Sequence, residues 1–369
     1  MFVFNKFANA VKLFLLVGVL QYLPFTVEAS DGYFLASNES IRFSGRVAFY
    51  DDQAYMTWPG TSVHFSIQGS RFLLDMEDDS GNNYYNVIFN GQDEFPYVLN
   101  TKQGRHTYDL SHMISSEITE VTIFKRTEGA EGGTLLHGVI LENEQSLRPG
   151  LPAPQRRILF YGDSITVGMG NEAAHNTQDD LASEKNHYLS YAPVTARNLN
   201  AEFHSIAKSG IGFMVSWFDF IMPEYYDQLT AQSNNDTVWD FSQWQPDVVV
   251  VNLGQNDKWL IENQGKLSAT PEEIKQAYEH FIRTLMELHP KALFVCAIGS
   301  MDASSNERWP NYIASAVANI KATPNNINDA QRITTTVFDF TGYGAHPRLW
   351  QHQQNAEKLT SLIKQELNW

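Results

Sequence analysis

Cysteine is nearly absent: Cys296 stands alone, so no intramolecular disulfide can form and multi-cysteine zinc sites are excluded. It lies in the apolar run ALFVCAI, residues 292–298, which predicts a buried strand and a structural thiol rather than a nucleophile. Long hydrophobic runs are scarce as well. Only residues 13–25 (LFLLVGVLQYLPF) form an extended apolar stretch, and it falls short of the ~20 residues that span a bilayer. Basic residues are in deficit, 26 Lys and Arg against 42 Asp and Glu, for a formal charge of −16. So acidic a surface repels phosphate backbones and argues against nucleic acid as a partner. Neither HExxH nor the P-loop lysine signature occurs, and no metal or cofactor is expected.

What is there begins with an export signature. Lys6 and Lys12 precede the apolar stretch, and Val27-Glu28-Ala29 before Ser30 approximates a small-x-small cleavage site. Residues 1–29 therefore read as a signal peptide, with an uncleaved anchor as the alternative. Once the signal is cleaved, the chain is expected to be secreted or periplasmic, with no membrane partner. The remaining stretch suggests two domains, at roughly 100–200 residues each.

The two parts differ in rhythm. Residues 30–145 read as short strands and turns: VHFSI at 63–67 alternates apolar and polar, and the DDSGNN cluster at 78–83 suggests a hairpin. With no convincing helix, this part points to a β-sandwich, jelly-roll-like. Residues 143–154 (NEQSLRPGLPAP) hold three prolines and read as a linker. From 155 to 369, compact apolar runs at 157–161, 203–207, 247–253, 292–298 and 334–340 suit buried parallel strands, with helical segments between and after them. The clearest helix starts at Pro271, with Thr270 as N-cap and Glu273 closing a capping box. The expected fold is α/β, a doubly wound parallel sheet whose site lies at the carboxyl ends of its strands.

Three blocks sit at such ends. Gly162-Asp163-Ser164 follows the first strand, where a serine is presented near a helix N-terminus; a helix cap or phosphate-binding turn would explain the tripeptide equally well. Gly254-Gln255-Asn256-Asp257 follows the third strand. Asn256 is suited to donate to a tetrahedral oxyanion, although such residues also serve simply as turns. Gly344-Ala345-His346-Pro347 separates the last strand from the closing helix. His346 is the only one of eleven histidines in that interval, from which a base could reach Ser164.

In order and spacing these blocks resemble the SGNH (GDSL-like) hydrolase superfamily. Its glycine block is matched by Ser209-Gly210-Ile211-Gly212. The resemblance spans residues 157–369 and implies Ser164 as nucleophile, His346 as base, and an oxyanion hole of Ser164, Gly210 and Asn256. GDSITVGMG at 162–170, NLGQND at 252–257 and FKRTE at 124–128, behind a sandwich, are similar to family two of the carbohydrate esterases. That similarity implies removal of acetyl groups from xylan or glucomannan, with a preference for the 6-O position.

The pattern departs from the superfamily at one place. The aspartate expected three residues before the histidine is Tyr343 here. Either a backbone carbonyl holds the imidazole, giving a Ser–His dyad, or Asp339 or another acid reaches it. Trp259 and Tyr343 are candidates to stack on a sugar ring. Trp217, Trp239 and Trp244 are expected in core or interdomain packing, and Trp58 in the sandwich or between domains. Two rival functions remain: an SGNH esterase for a lipid or bacterial-glycan acyl group, and a noncatalytic sugar-binding protein.

Overall fold

The computed structural model describes residues 32–232, 237–326 and 328–369. The proposed signal peptide lies outside them. Among the described residues no helix is long and apolar enough to cross a membrane.

The N-terminal part is two antiparallel sheets packed face to face. One runs β3 (Val47–Tyr50), β4 (Gln53–Met56), β11 (Thr134–Leu141), β6 (Phe72–Asp78), β9 (Gly104–Asp109), with β1 (Gly32–Leu35) also on β11. The other runs β12 (Leu147–Pro149), β5 (Ser62–Gln68), β10 (Ile118–Lys125), β7 (Tyr84–Phe89), β8 (Tyr97–Asn100), with β2 (Arg42–Ser44) also on β5. Inward side chains such as Phe65, Ile67, Phe72, Leu74, Val87, Ile123 and Val139 interlock as one core. The proline-bearing segment expected to be only a linker also supplies a strand, with Leu147 opposite Ile67. Its proline sits on an edge strand, where a missing N–H breaks no central ladder.

The second part is a five-stranded parallel sheet in the order β14 (Ala201–Ala207), β13 (Arg156–Gly162), β15 (Val248–Asn252), β16 (Leu293–Ile298), β17 (Ile333–Val337). Helices α1 (Ser164–Val167), α2 (Tyr191–Asn198), α3 (Gln255–Lys258), α4 (Pro271–Leu288), α5 (Arg308–Ala322) and α6 (Leu349–Leu367) accompany it. Val248 to Val251 of the central strand are all fully buried, as a strand covered on both faces requires. Cys296 is buried on β16. At α4 the Thr270 hydroxyl accepts the N–H of Glu273, whose carboxylate accepts that of Thr270 at 2.7 Å, so both ends of the capping box are made. The chain reverses direction across the sheet between β13 and its neighbours β14 and β15. Such a switch point opens a crevice at the carboxyl ends of the strands.

The sandwich docks on the segment before β15. Arg46, buried, donates through Nη1 to the carbonyls of Tyr226 (2.8 Å) and Gln228 (2.6 Å). Its guanidinium lies 5.4 Å from the rings of both Trp239 and Phe241. Trp58 donates its indole N–H to the Leu229 carbonyl at 2.9 Å and meets Tyr225 edge-on, making it a contact between the two parts. Trp244 is core, stacked on His204 at 3.8 Å.

Candidate active site

Ser164 opens α1. Asp163 caps that helix by accepting the N–H of Ile165 at 3.0 Å, and the N–H of Ser164, as the first helical residue, has no intrahelical acceptor. Across the crevice the loop between β17 and α6 brings His346 to the serine: Ser164 Oγ lies 2.9 Å from His346 Nε2. The other ring nitrogen, Nδ1, is 3.1 Å from Oδ2 of Asp179, which also accepts the His346 backbone N–H at 2.8 Å. With a carboxylate on that side, the proton sits on Nδ1 and the Nε2 lone pair faces the serine hydroxyl.

Asp179 is the residue the sequence reading did not identify. It belongs to the loop between α1 and α2, and no spacing rule ties it to a histidine 167 positions later. Asp339, the acid proposed from sequence, does not reach the imidazole. Its side chain is 88% exposed and pairs with Lys358 at 3.2 Å, because the end of β17 turns it to solvent. Nor does a backbone carbonyl hold Nδ1, since Asp179 takes that place.

Arg348 fastens the acid's loop to the histidine's loop. Its Nη1 donates to Asp179 Oδ2 (3.1 Å) and to the His346 carbonyl (2.8 Å), and its Nε and Nη2 donate to the carbonyls of Ala174 and Thr177, each at 3.0 Å. Burial works to raise the Asp179 carboxyl, but hydrogen bonds from His346 and Arg348 outweigh it and hold it well below the usual carboxylate range. Gly170 lets the loop come this close. Its φ is +55°, and a Cβ there would lie 2.1 Å from that of Asp179.

The other two blocks converge beside the serine. Gly210, at φ +87°, sits in the loop after β14, and Asn256 stands on the first turn of α3 after β15. Asn256 Nδ2 donates to the Ile211 carbonyl at 2.9 Å and lies 3.4 Å from Asp163 Oδ2. Asp257 accepts the backbone N–H groups of Phe213 (3.1 Å), Met214 (2.7 Å) and Val215 (3.0 Å), bracing the end of the glycine loop. Burial raises the carboxyls of Asp163 and Asp257, to about 7 and about 6.

Two cavities meet at the Ser164–His346 pair. The larger, about 540 Å³, is walled by Trp217, Trp259, Met301, Phe340 and Tyr343. The smaller, about 310 Å³, is lined by Met169, Gly210 and Phe218, with Trp217 common to both. Trp259 is 38% exposed on the rim. Trp217, expected in packing, is instead 54% exposed between the cavities, because the loop after Gly210 turns it outward. Tyr343 donates its hydroxyl to Gln351 Oε1 at 2.5 Å, with the His346 carbonyl 3.3 Å from the same oxygen, so it supports the histidine loop as well as forming wall. A third cavity, about 250 Å³ and lined by Arg42, His64, Tyr188 and Arg197, lies where the sandwich meets the sheet and contains none of these residues.

A serine, an imidazole and a carboxylate in line are the arrangement on which serine hydrolases rely. Residues 160–361 match the GDSL-like lipase/acylhydrolase family, and residues 43–154 match the carbohydrate esterase 2 N-terminal family. The chain belongs to the GDSL-like lipase/acylhydrolase family, and solved structures similar to it are family two carbohydrate esterases.

Among its relatives, "Cellulase/esterase CelE" of Acetivibrio thermocellus is 30% identical over 90% of this chain. This chain spans only 40% of that protein's length. An "Acetylxylan esterase / glucomannan deacetylase" of Cellvibrio japonicus is 27% identical over 90% of this chain and 91% of its own. The solved structure of a family two carbohydrate esterase from Cellvibrio japonicus superposes with a TM-score of 0.81 at 25% identity, covering 92% of this chain and 99% of that one.

Proposed function

We propose that this chain is an exported serine esterase that removes acetyl groups from a plant polysaccharide, xylan or glucomannan, with Ser164, His346 and Asp179 as its catalytic triad. One observation carries the proposal: the unbroken contact from Ser164 Oγ to His346 Nε2 (2.9 Å) and from His346 Nδ1 to Asp179 (3.1 Å), facing a cavity with exposed tryptophans. The relatives named as acetylxylan esterases and glucomannan deacetylases support the substrate class. The leader-like residues 1–29 support export.

In the reaction, His346 Nε2 takes the proton of Ser164 Oγ as that oxygen attacks the acetyl carbonyl. Asp179 stabilises the imidazolium without accepting the proton. The N–H groups of Ser164 and Gly210 receive the oxyanion. Asn256 Nδ2 joins them by exchanging its long contact to Asp163 for one to the oxyanion. The C–O bond to the sugar then breaks as His346 delivers its proton to the departing sugar oxygen, which leaves as the free hydroxyl. Water repeats the cycle on the acetyl-serine and releases acetate. Trp259, Trp217 and Tyr343 offer flat faces against which a neutral sugar ring can stack.

The test is acetate release from acetylated glucomannan and acetylated xylan by the exported form, beside Ser164→Ala, with 6-O-acetyl groups followed first. Release that disappears in the variant supports the proposal. Activity confined to long-chain acyl esters would overturn the substrate class. Glycan binding by a folded protein that hydrolyses no ester would overturn the enzyme.

A further inference from the structure

The loop between β10 and β11 belongs to the sandwich, yet it reaches the esterase crevice. Its residue Glu128 is fully buried. One carboxylate oxygen accepts the Ser209 backbone N–H at 2.7 Å; the other accepts the Ser209 hydroxyl at 2.5 Å and the Lys185 ammonium at 3.1 Å. Lys185 in turn meets Glu131 at 2.5 Å. Burial opposes the charge on Glu128, but Lys185 and the Ser209 donors outweigh it and hold the carboxyl below its usual range.

This is an expensive arrangement to bury merely to join two domains, since ion pairs out of water often stabilise no better than apolar packing. Its contact, moreover, is specific. Ser209 is the residue before Gly210, whose φ of +87° is a conformation that glycine alone adopts freely. A carboxylate gripping both the N–H and the hydroxyl of Ser209 fixes the plane of the preceding peptide and the start of the next. The direction of the Gly210 N–H follows from it.

We infer that Glu128 is a positioning residue for the esterase site: through Ser209 it aims the Gly210 N–H at the oxyanion, so the sandwich supplies part of the catalytic geometry. The inference rests on the esterase mechanism proposed above. Neighbouring contacts act in the same sense. Arg126 of the same loop pairs with Glu172 and donates to the Lys185 carbonyl at 3.4 Å, and its own carbonyl accepts the His187 N–H at 3.0 Å. Residues 172 and 185 bracket the loop that carries Asp179. One short sandwich segment thus touches both the oxyanion loop and the acid's loop.

The test compares wild type, Ser164→Ala, Glu128→Gln and Ser209→Ala on 4-nitrophenyl acetate, with thermal melting to establish folding. Glu128→Gln keeps the shape but retains a single acceptor oxygen for two Ser209 donors. Its kcat should fall by about 10- to 100-fold, as for small displacements of catalytic groups, with KM nearly constant. Ser209→Ala leaves the ion pairs in place and should lose about fivefold, the equivalent of one hydrogen bond.

A folded Glu128→Gln protein with wild-type kcat overturns the inference while Ser164-dependent hydrolysis leaves the esterase mechanism standing. If Glu128→Gln does not fold, Ser209→Ala decides, and an unchanged kcat overturns the inference. A wild type that hydrolyses no ester overturns both.

Discussion

Replacing Asp179 by asparagine isolates the contribution of the carboxylate that neither spacing nor motif revealed. The side chain keeps its size and can still accept from the His346 backbone N–H, but it loses its charge. At the 3.1 Å contact with Nδ1, a full charge pair in a partly solvated site is worth about 5 kcal/mol at an effective dielectric near 20. Arg348 already neutralises part of that carboxylate, also from 3.1 Å, and both partners retain some exposure. Halving the figure leaves roughly 2–3 kcal/mol of imidazolium stabilisation, or about 30- to 150-fold in kcat. KM should change little, because Asp179 faces the histidine rather than the cavity. The assay is steady-state hydrolysis of 4-nitrophenyl acetate and of acetylated glucomannan, with melting curves alongside. A folded Asp179→Asn enzyme within about threefold of wild-type kcat would refute the triad and leave a Ser–His dyad.

Asp339→Ala supplies the contrast: an exposed acid paired only with Lys358 should leave kcat and KM within about twofold of wild type, measured in the same assay. Gly170→Ala should lower both melting temperature and kcat, because φ +55° and the 2.1 Å approach to Asp179 displace the acid. Gly265→Ala, at φ +61° with open space around it, should cost about 1 kcal/mol of stability and no activity. Stability should also fall as pH is lowered from about 6.5. Burial holds His187 and His352 at about 3 and His289 at about 4, so the unfolded chain gains protons that the folded chain refuses. Asp163 and Asp257 act in the opposite sense, losing stability as pH rises from about 4 towards 7. Melting scans from pH 4 to 8 check both: His352→Gln should flatten the acid side and Asp163→Asn the other.

Local chemistry made much of this legible beforehand. The strands of the parallel sheet are short apolar runs, and α4 carries its own start signal at Thr270, Pro271 and Glu273. Ser164, Gly210, Asn256 and His346 each follow a strand of one parallel sheet, so topology alone brings them to one edge. Asp179 escaped because residues 171–186 have no hydrophobic period, and its partners, His346 and Arg348, are joined to it only by tertiary contact. A faint signal lay in Arg348, buried two residues after the histidine and in need of an anion. Trp217 was misjudged because composition favours burying tryptophan, whereas here a loop presents it at a cavity mouth. The strand Leu147–Pro149 hid among prolines, which an edge position tolerates.

Because the acid reaches His346 from a different loop, the position three residues before the histidine is freed from electrostatic duty. Tyr343 fills it, tethered through its hydroxyl, with its ring edge-on to His175 at 4.7 Å. The cavity wall beside the nucleophile is therefore flat and neutral where a short anion would otherwise stand, and an incoming sugar need not strip water from a carboxylate. The carboxylate that faces the imidazole and the ring that walls the cavity thus come from separate segments of the chain. The ring of Tyr343 forms cavity wall while its hydroxyl holds the histidine loop, so removing that hydroxyl alone loosens the loop and leaves the wall flat.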